Sequence, residues 1–183
     1  SDADQRVFHL LRRLCDAVVV GAGTARAEEY GLAAHSVLVV VSRRAALPET
    51  VAAAVRNSGR PDAVILATCE GADLERLARA RATLGDSNVL VCAGGRVDPV
   101  WLRGALAERG LLRVLSEGGP SMLGDALASG VIDEVCLTIS PLLAGGVGGR
   151  IVAGADLGEG MRVHLASVVE EDGMLLTRWR VRR

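Results

Sequence analysis

The chain has 183 residues and a formal net charge of -1; 50% of its residues are hydrophobic and only 2% are aromatic. This length suits a single domain over residues 1–183, with a core of Val, Leu, Ile and Ala. So small a charge excludes long-range attraction to nucleic acid or to an anionic membrane. We therefore expect the partner to be a small molecule or a second copy of the chain.

The first predicted element is a helix from Asp4 to Leu14, because its apolar residues recur with the spacing of one helical face. Five short runs rich in Val, Ile and Leu follow, namely DAVVVGAG, VLVVVS, AVILAT, VLVCA and LRVLSE. Helix-compatible segments alternate with them at residues 24–29, 48–56, 73–84, 99–108 and 120–128. This alternation predicts a three-layer α/β fold, with a mostly parallel central sheet and helices on both of its faces.

The pattern changes after Gly130. IDEVCLTIS predicts a longer strand, LLAGGVGG a glycine-rich loop, and residues 162–183 an antiparallel hairpin that turns at Asp172-Gly173. We expect this hairpin to extend one edge of the parallel sheet, giving a mixed sheet. Such sheets commonly begin with a strand, whereas this chain begins with a helix. We therefore expect either that the fold starts unusually or that an upstream first strand is missing from this chain.

Cysteine and histidine spacing favours neither disulfides nor a metal site. The four cysteines are scattered without a CxxC pair, which predicts reduced core cysteines, and the three histidines lie far apart in sequence. We therefore expect no bound metal. The sequence shows no signal peptide and no long apolar run, which predicts a soluble cytoplasmic protein.

Turns that follow parallel strands are where open α/β sheets bind ligands, and the first of these is VVVGAGTARAEEYG. Gly21 and Gly23 would let the backbone approach a ligand, and Thr24 would cap a helix whose free amides favour phosphate. Arg26 stands where the dinucleotide fingerprint needs its third glycine, which disfavours the usual nucleotide-binding fold. The alternative is that the glycines only shape a tight turn.

The second turn, VVVSRRAALP, places a hydroxyl and two guanidinium groups directly after a strand. Ser42, Arg43 and Arg44 would clasp a phosphate monoester there. Since arginine at such a position accommodates the 2′-phosphate of a dinucleotide, the turn points to NADP rather than NAD. A solvated basic loop is the alternative.

The third turn is LSEGGPSMLGDAL. Gly118 and Gly119 carry no side chain that would block a ligand, and Pro120 and Ser121 suit the first turn of a helix, so a pyrophosphate would fit. Glu117 would repel a phosphate, and we expect it to face a hydrogen-bond donor of the substrate. An exposed surface acid is the alternative.

Three segments, LLRRLCDAVVVGAGTARAEEYG, LLRVLSEGGPSMLGDAL and VIDEVCLTISPLLAGG, resemble the reductase domain of the bacterial bifunctional riboflavin-biosynthesis deaminase-reductase. That family has the dihydrofolate reductase-like fold and includes stand-alone pyrimidine reductase homologues. The resemblance implies hydride transfer from NADPH that reduces the ribose of 5-amino-6-(5-phosphoribosylamino)uracil to the ribityl form. It also implies a homodimer.

The resemblance implies that Arg12 binds the substrate phosphate and that Glu117 hydrogen-bonds the substrate, while no proton donor is assigned. Together with the three turns, it gives a set of cofactor-binding candidates: Gly23, Thr24, Glu28, Ser42, Arg43, Gly118, Gly119, Pro120, Ser121, Met122 and Leu123.

The sequence departs from the family pattern in two places. It lacks the initial strand and its SLDG-like loop, which predicts an exposed groove where that strand would lie. RAEEYGL replaces an ADDPxLxxR-like segment, which leaves His35 where a substrate-binding arginine is often found. A related pterin or pyrimidine substrate, and a non-catalytic NADP(H)-binding module, are therefore the alternatives.

Overall fold

The computed structural model describes residues 2–146 and 148–182. The helices are α1 (Asp2–Leu14), α2 (Ala22–Ala27), α3 (Glu49–Ser58), α4 (Leu74–Leu84), α5 (Pro99–Ala107) and α6 (Pro120–Ala128). The strands are β1 (Ala17–Gly21), β2 (Val37–Val41), β3 (Val64–Cys69), β4 (Val89–Cys92), β5 (Val114–Ser116), β6 (Glu134–Ile139), β7 (Val163–Glu171) and β8 (Met174–Val181). No helix within these residues is long and apolar enough to cross a membrane.

The described residues divide into two compact units. The first, unit A, comprises residues 11–119; the second, unit B, comprises residues 2–10, 120–146 and 148–182. That residues 1–183 act as a single domain stays a prediction.

Unit A contains a five-stranded, all-parallel sheet with the strand order β4-β3-β2-β1-β5. Consecutive residues of a strand face opposite sides of a sheet, and Val39 and Val40 are both fully buried. The central strands are therefore covered on both faces, which explains why their sequences are continuous apolar runs. The predicted parallel α/β architecture is confirmed.

The main core of unit A lies on one face of this sheet. Val18, Val20, Leu38, Val40, Val64 and Leu66 meet residues of α3 and α4 there, including Val51, Val55 and Leu84. Asp73 begins α4 as its N-cap, since its carboxylate accepts a hydrogen bond from the Arg76 amide at 2.9 Å. Val, Ile and Leu side chains thus fill the core of unit A in place of aromatic residues.

Unit B contains a separate three-stranded antiparallel sheet with the order β6-β8-β7. The turn between β7 and β8 is the predicted one, with positive φ at Asp172 (53°) and Gly173 (77°). The expected mixed sheet is wrong, because β6 pairs with β8 from Glu134↔Arg180 to Ile139↔Leu175. Both edges of β8 are therefore satisfied within unit B.

Helix α1 forms as predicted, but its apolar residues are not a buried face. Val7, Leu10 and Leu14 are exposed and Leu11 is half-buried.

In the parallel sheet β5 pairs with β1 on one side, and no described strand pairs with its other edge. The expected further strand and its groove stay a prediction.

Three of the four cysteines are buried as predicted, and all four are free thiols. Cys136 is the exception because it lies on an exposed position of β6. The expectation of a core cysteine is wrong there.

Candidate active site

Three strand-to-helix turns gather at one edge of the unit A sheet. The strands β2, β1 and β5 are neighbours and parallel, so their carboxyl ends lie at the same edge. The Gly21 amide donates a hydrogen bond to the Gly118 carbonyl at 3.1 Å, which joins the first turn to the third. The sequence-based expectation that these bends share one rim is confirmed.

The first turn is tighter than the sequence suggests. Helix α2 begins at Ala22 with Gly21 as its N-cap, and no side chain caps it. The expected N-cap at Thr24 is wrong, because Thr24 is already inside the helix. Gly23 is exposed within α2, and Glu28 is its exposed C-cap residue.

The second turn is organised by Ser42, which is buried. Its hydroxyl accepts a hydrogen bond from the Ala46 amide at 2.9 Å, so the side chain shapes the loop. Ala45 adopts a positive φ of 51° at the end of this turn. The side chains of Arg43 and Arg44 are left exposed, as an anion site requires.

The third turn depends on its two glycines. Gly118 and Gly119 have φ values of 87° and 85°, a conformation that other residues rarely adopt. A Cβ at position 119 would also lie 3.2 Å from the Thr24 hydroxyl oxygen. The backbone at Gly119 therefore passes close to α2.

Helix α6 of unit B starts at Pro120. Ser121 is exposed, whereas Met122 and Leu123 are half-buried. The Ala153 amide bonds to the Pro120 carbonyl at 3.1 Å, and a Cβ on Gly124 would lie 2.5 Å from the Ala153 carbonyl oxygen. Gly124 thus allows this loop to approach the helix.

The two residues assigned to the substrate, Arg12 and Glu117, contact each other. The Arg12 Nε and Nη2 atoms donate to the two carboxylate oxygens of Glu117 at 2.7 and 2.5 Å. This is a bidentate ion pair, which is among the stronger side-chain contacts. The Glu117 side chain is only 5% exposed, whereas that of Arg12 is 32% exposed. The alternative of an exposed surface acid is thereby excluded for Glu117.

Tyr30 completes this cluster, although the sequence did not lead us to predict it as a site residue. Its hydroxyl donates to Glu117 Oε2 at 2.7 Å, and the Arg12 guanidinium carbon lies 5.2 Å from its ring centroid. Burial and the neighbouring Glu117 carboxylate raise the pKa of Tyr30 above its usual value, so the phenol stays protonated as a donor. The available signal was that RAEEYG contains the one tyrosine of the sequence.

His35 is exposed in the loop before β2. No group of three or more His, Cys, Asp or Glu side chains suited to a metal ion occurs in residues 2–146 and 148–182. The candidate site is therefore described by glycine turns, exposed arginines and the Arg12–Glu117–Tyr30 cluster.

The fold is similar to that of a solved pyrimidine reductase-like protein. A pyrimidine reductase-like protein from Corynebacterium diphtheriae superposes with a TM-score of 0.81 at 21% identity, over 100% of this chain and 82% of that one. A family model described as the RibD C-terminal domain matches residues 1–174. The chain belongs to this family.

Two curated relatives show the extent of the similarity. The 2,5-diamino-6-ribosylamino-4(3H)-pyrimidinone 5′-phosphate reductase of Methanothermobacter thermautotrophicus is 33% identical over 155 residues, which cover 80% of this chain and 68% of the relative. The riboflavin biosynthesis protein RibD of Bacillus amyloliquefaciens is 28% identical over 153 residues, again 80% of this chain. The chain spans 40% of that RibD protein.

Proposed function

We propose that this protein is an NADPH-dependent reductase of riboflavin biosynthesis, which reduces the ribose of a ribosylaminopyrimidine 5′-phosphate to the ribityl form. The observation that carries the proposal is the 33% identity, over 80% of the chain, to a relative named as such a reductase. The clustered turns and the Arg12–Glu117–Tyr30 group support it.

The residues of unit A suit a nicotinamide dinucleotide. Gly118 and Gly119 leave a bend without side chains, and Arg43 and Arg44 offer exposed guanidinium groups for a 2′-phosphate. Thr24 lies close to Gly119, and the Ser42 hydroxyl stabilises the arginine turn by accepting a hydrogen bond from the Ala46 amide. Gly23 is exposed within α2 and Glu28 is its exposed C-cap residue, and their assignment to the cofactor stays a prediction from the sequence. The assignments of Pro120, Ser121, Met122 and Leu123 stay predictions from the sequence.

When bound, NADPH supplies the hydride for the reduction. The protein then has to bind the substrate phosphate and fix the sugar. Arg12 carries a permanent positive charge, and its hydrogen bond to Glu117 raises the pKa of its guanidinium further. We assign the phosphate to Arg12, whose side chain is the more exposed member of the ion pair. Glu117 holds that guanidinium in place through its two carboxylate oxygens, and a hydrogen bond from the substrate to Glu117 stays a prediction from the resemblance.

The base of the substrate has two candidates. The sequence resemblance implies 5-amino-6-(5-phosphoribosylamino)uracil, whereas the 33% identical relative is named for the 2,5-diamino pyrimidinone. These compounds differ in one exocyclic group of the base, which lies at the opposite end of the molecule from the phosphate. The proposed phosphate contact at Arg12 is common to both.

The experiment is to mix the purified protein with NADPH and each of the two pyrimidine phosphates, and to follow the absorbance of the reduced nicotinamide. Oxidation that depends on one of them supports the proposal and selects the base. Binding of NADPH without oxidation in either mixture contradicts a reductase and favours the NADP(H)-binding module.

We propose in addition that the protein is a homodimer through unit B. By register, Ile139 of β6, Val163, Leu165 and Val168 of β7, and Leu175 of β8 lie on one face of the antiparallel sheet. These five side chains are between 37% and 51% exposed. A group of exposed apolar side chains on one sheet face is typical of a subunit interface.

A further inference from the structure

The turn after β2 has Arg43 and Arg44 as its two central residues. The Ala45 amide donates a hydrogen bond to the Ser42 carbonyl at 3.3 Å, which closes a β-turn around the two arginines. Both arginine side chains are exposed, whereas Ser42 and Ala45 on either side of them are buried. The buried residues therefore hold the backbone of the turn while the guanidinium groups face solvent.

The neighbouring strand β3 contacts this turn through its last residue, Cys69. The Cys69 thiol donates a hydrogen bond to the Arg43 carbonyl, with Sγ and the oxygen 3.4 Å apart. The Ser42 amide donates to the Ala67 carbonyl at 2.9 Å, so β3 holds the turn at two consecutive residues. Because Cys69 is fully buried, water does not compete for its hydrogen bond.

Ala45 fixes the other end of the turn in a conformation that alanine disfavours. Its φ is 51°, yet the residue is only 1% exposed and belongs to the apolar core of unit A together with Val51 and Val55. Burial of the methyl group offsets the unfavourable conformation. Glycine would adopt the same φ without strain, but it would have no methyl group to keep the turn against the core.

We propose that Cys69 and Ala45 are positioning residues for the 2′-phosphate of NADPH: the thiol and the methyl group fix the backbone that carries Arg43 and Arg44 before the cofactor binds. Arginine side chains lose conformational freedom when they bind an anion, so a backbone that is already in place lowers the free-energy cost of binding. This inference rests on the proposed function for the identity of the cofactor. It assigns neither residue a contact with the phosphate.

The first test compares NADPH with NADH, which lacks the 2′-phosphate, by calorimetry. Cys69→Ala removes the hydrogen-bond donor and should weaken NADPH binding by about twofold to fivefold, while NADH binding stays constant. Cys69→Ser keeps a donor and should retain most of the preference for NADPH. Ala45→Gly removes the buried methyl group and should weaken NADPH binding, but not NADH binding, by a similar factor.

Cys92→Ala is the matched control. Cys92 is the register partner of Cys69 on β4 and is also buried. In the described part of the chain its thiol donates no hydrogen bond to the turn, which is held by Cys69 and Ser42. This variant should bind both nucleotides as the wild type does.

The second test follows the 2′-phosphate of bound NADPH by phosphorus NMR. A free phosphate monoester has a second pKa of about 6, and neighbouring guanidinium groups lower this pKa because they favour the dianion. In the wild-type complex the 2′-phosphate signal should therefore titrate below pH 6. Cys69→Ala and Ala45→Gly should return the midpoint toward 6, whereas Cys92→Ala should leave it at the wild-type value.

An equal loss of NADPH and NADH affinity in Cys69→Ala and Ala45→Gly would show that the two residues only maintain the fold, and would overturn the inference. Wild-type affinities in both variants, or a wild type that binds NADPH no more tightly than NADH, would overturn it as well. Thermal melting shows whether each variant is folded, and if Cys69→Ala is not, Cys69→Ser and Ala45→Gly decide.

The proposed function is tested separately by NADPH oxidation with the pyrimidine phosphates. A preference for NADPH that depends on Cys69 and Ala45, without turnover, overturns only the function. Turnover with an unchanged preference in these variants overturns only the inference.

Discussion

At the scale of single residues, two neighbouring glutamates differ in backbone conformation. Glu29 is left-handed at φ 50°, where glycine would be usual, while its neighbour Glu28 has a φ of -103°. The same side chain type therefore stands side by side in an unfavourable and a favourable conformation.

We expect Glu29→Gly to stabilise the protein by about 0.5–1 kcal/mol, because relief of the left-handed conformation outweighs the greater freedom of glycine in the unfolded chain. Glu28→Gly is the matched control and should destabilise, since it adds that freedom without relieving anything. Denaturant unfolding of both variants measures the difference. Equal changes in the free energy of unfolding would show that φ at Glu29 carries no cost.

Arg43 gives the second prediction at this scale. Only NADPH carries the 2′-phosphate, so Arg43→Ala should weaken NADPH binding by roughly tenfold or more while NADH binding stays nearly constant. Titration of both nucleotides measures this, with Arg60→Ala as an exposed-arginine control from another loop. An equal loss for the two nucleotides would remove Arg43 from phosphate binding.

At the scale of elements, the side chain of Asp16, which precedes β1, binds the residues that precede β5. The Asp16 carboxylate accepts hydrogen bonds from the Leu112 and Arg113 amides at 3.1 and 2.8 Å and from Arg113 Nη2 at 2.7 Å. The hydrogen bonds from Arg113 lead the effects that lower the pKa of Asp16 to about 2. This contact anchors the chain where it enters the strand before the glycine turn.

A lowered pKa in the folded state means that the contact stabilises the protein above the unfolded pKa of about 3.9 and stops doing so as the pH falls toward about 2. The wild type should therefore lose stability in this interval, and Asp16→Asn should lose less across it. Denaturant midpoints at a series of pH values provide the measurement, with Asp62→Asn as the control. Parallel pH profiles for wild type and Asp16→Asn would contradict the assignment.

Much at this scale was predictable from the sequence. Buried parallel strands are short apolar runs, and the apolar residues of the helices between them recur every three to four residues. The Asp172-Gly173 turn was equally local, since it needs two positive φ values. The Thr24 cap failed because one extended residue, Gly21, decides where α2 begins. The Arg12–Glu117 pair joins residues 105 positions apart, and Tyr30 joins it across 87, distances over which periodicity carries no information.

At the scale of the whole molecule, the exposed apolar face of unit B predicts association. Leu165→Glu places a charge on the proposed interface and should shift the protein from dimer to monomer in analytical ultracentrifugation. Val169→Glu is the matched control, since Val169 is on the same strand but pairs on the opposite face and is 57% exposed. Dissociation by both variants, or by neither, would contradict an interface on this face.

The strand that carries Glu117 has a further consequence. β5 is three residues long and is bonded to β1 alone among the described strands, while β2 lies between two partners. So short an edge opens locally far more often than the sheet interior. The Glu117 amide, which donates to the Val19 carbonyl at 2.9 Å, should exchange its proton with solvent faster than that of Val39. Saturating NADPH should slow the first and leave the second unchanged, so that the glycine turn becomes ordered in step with its ligand.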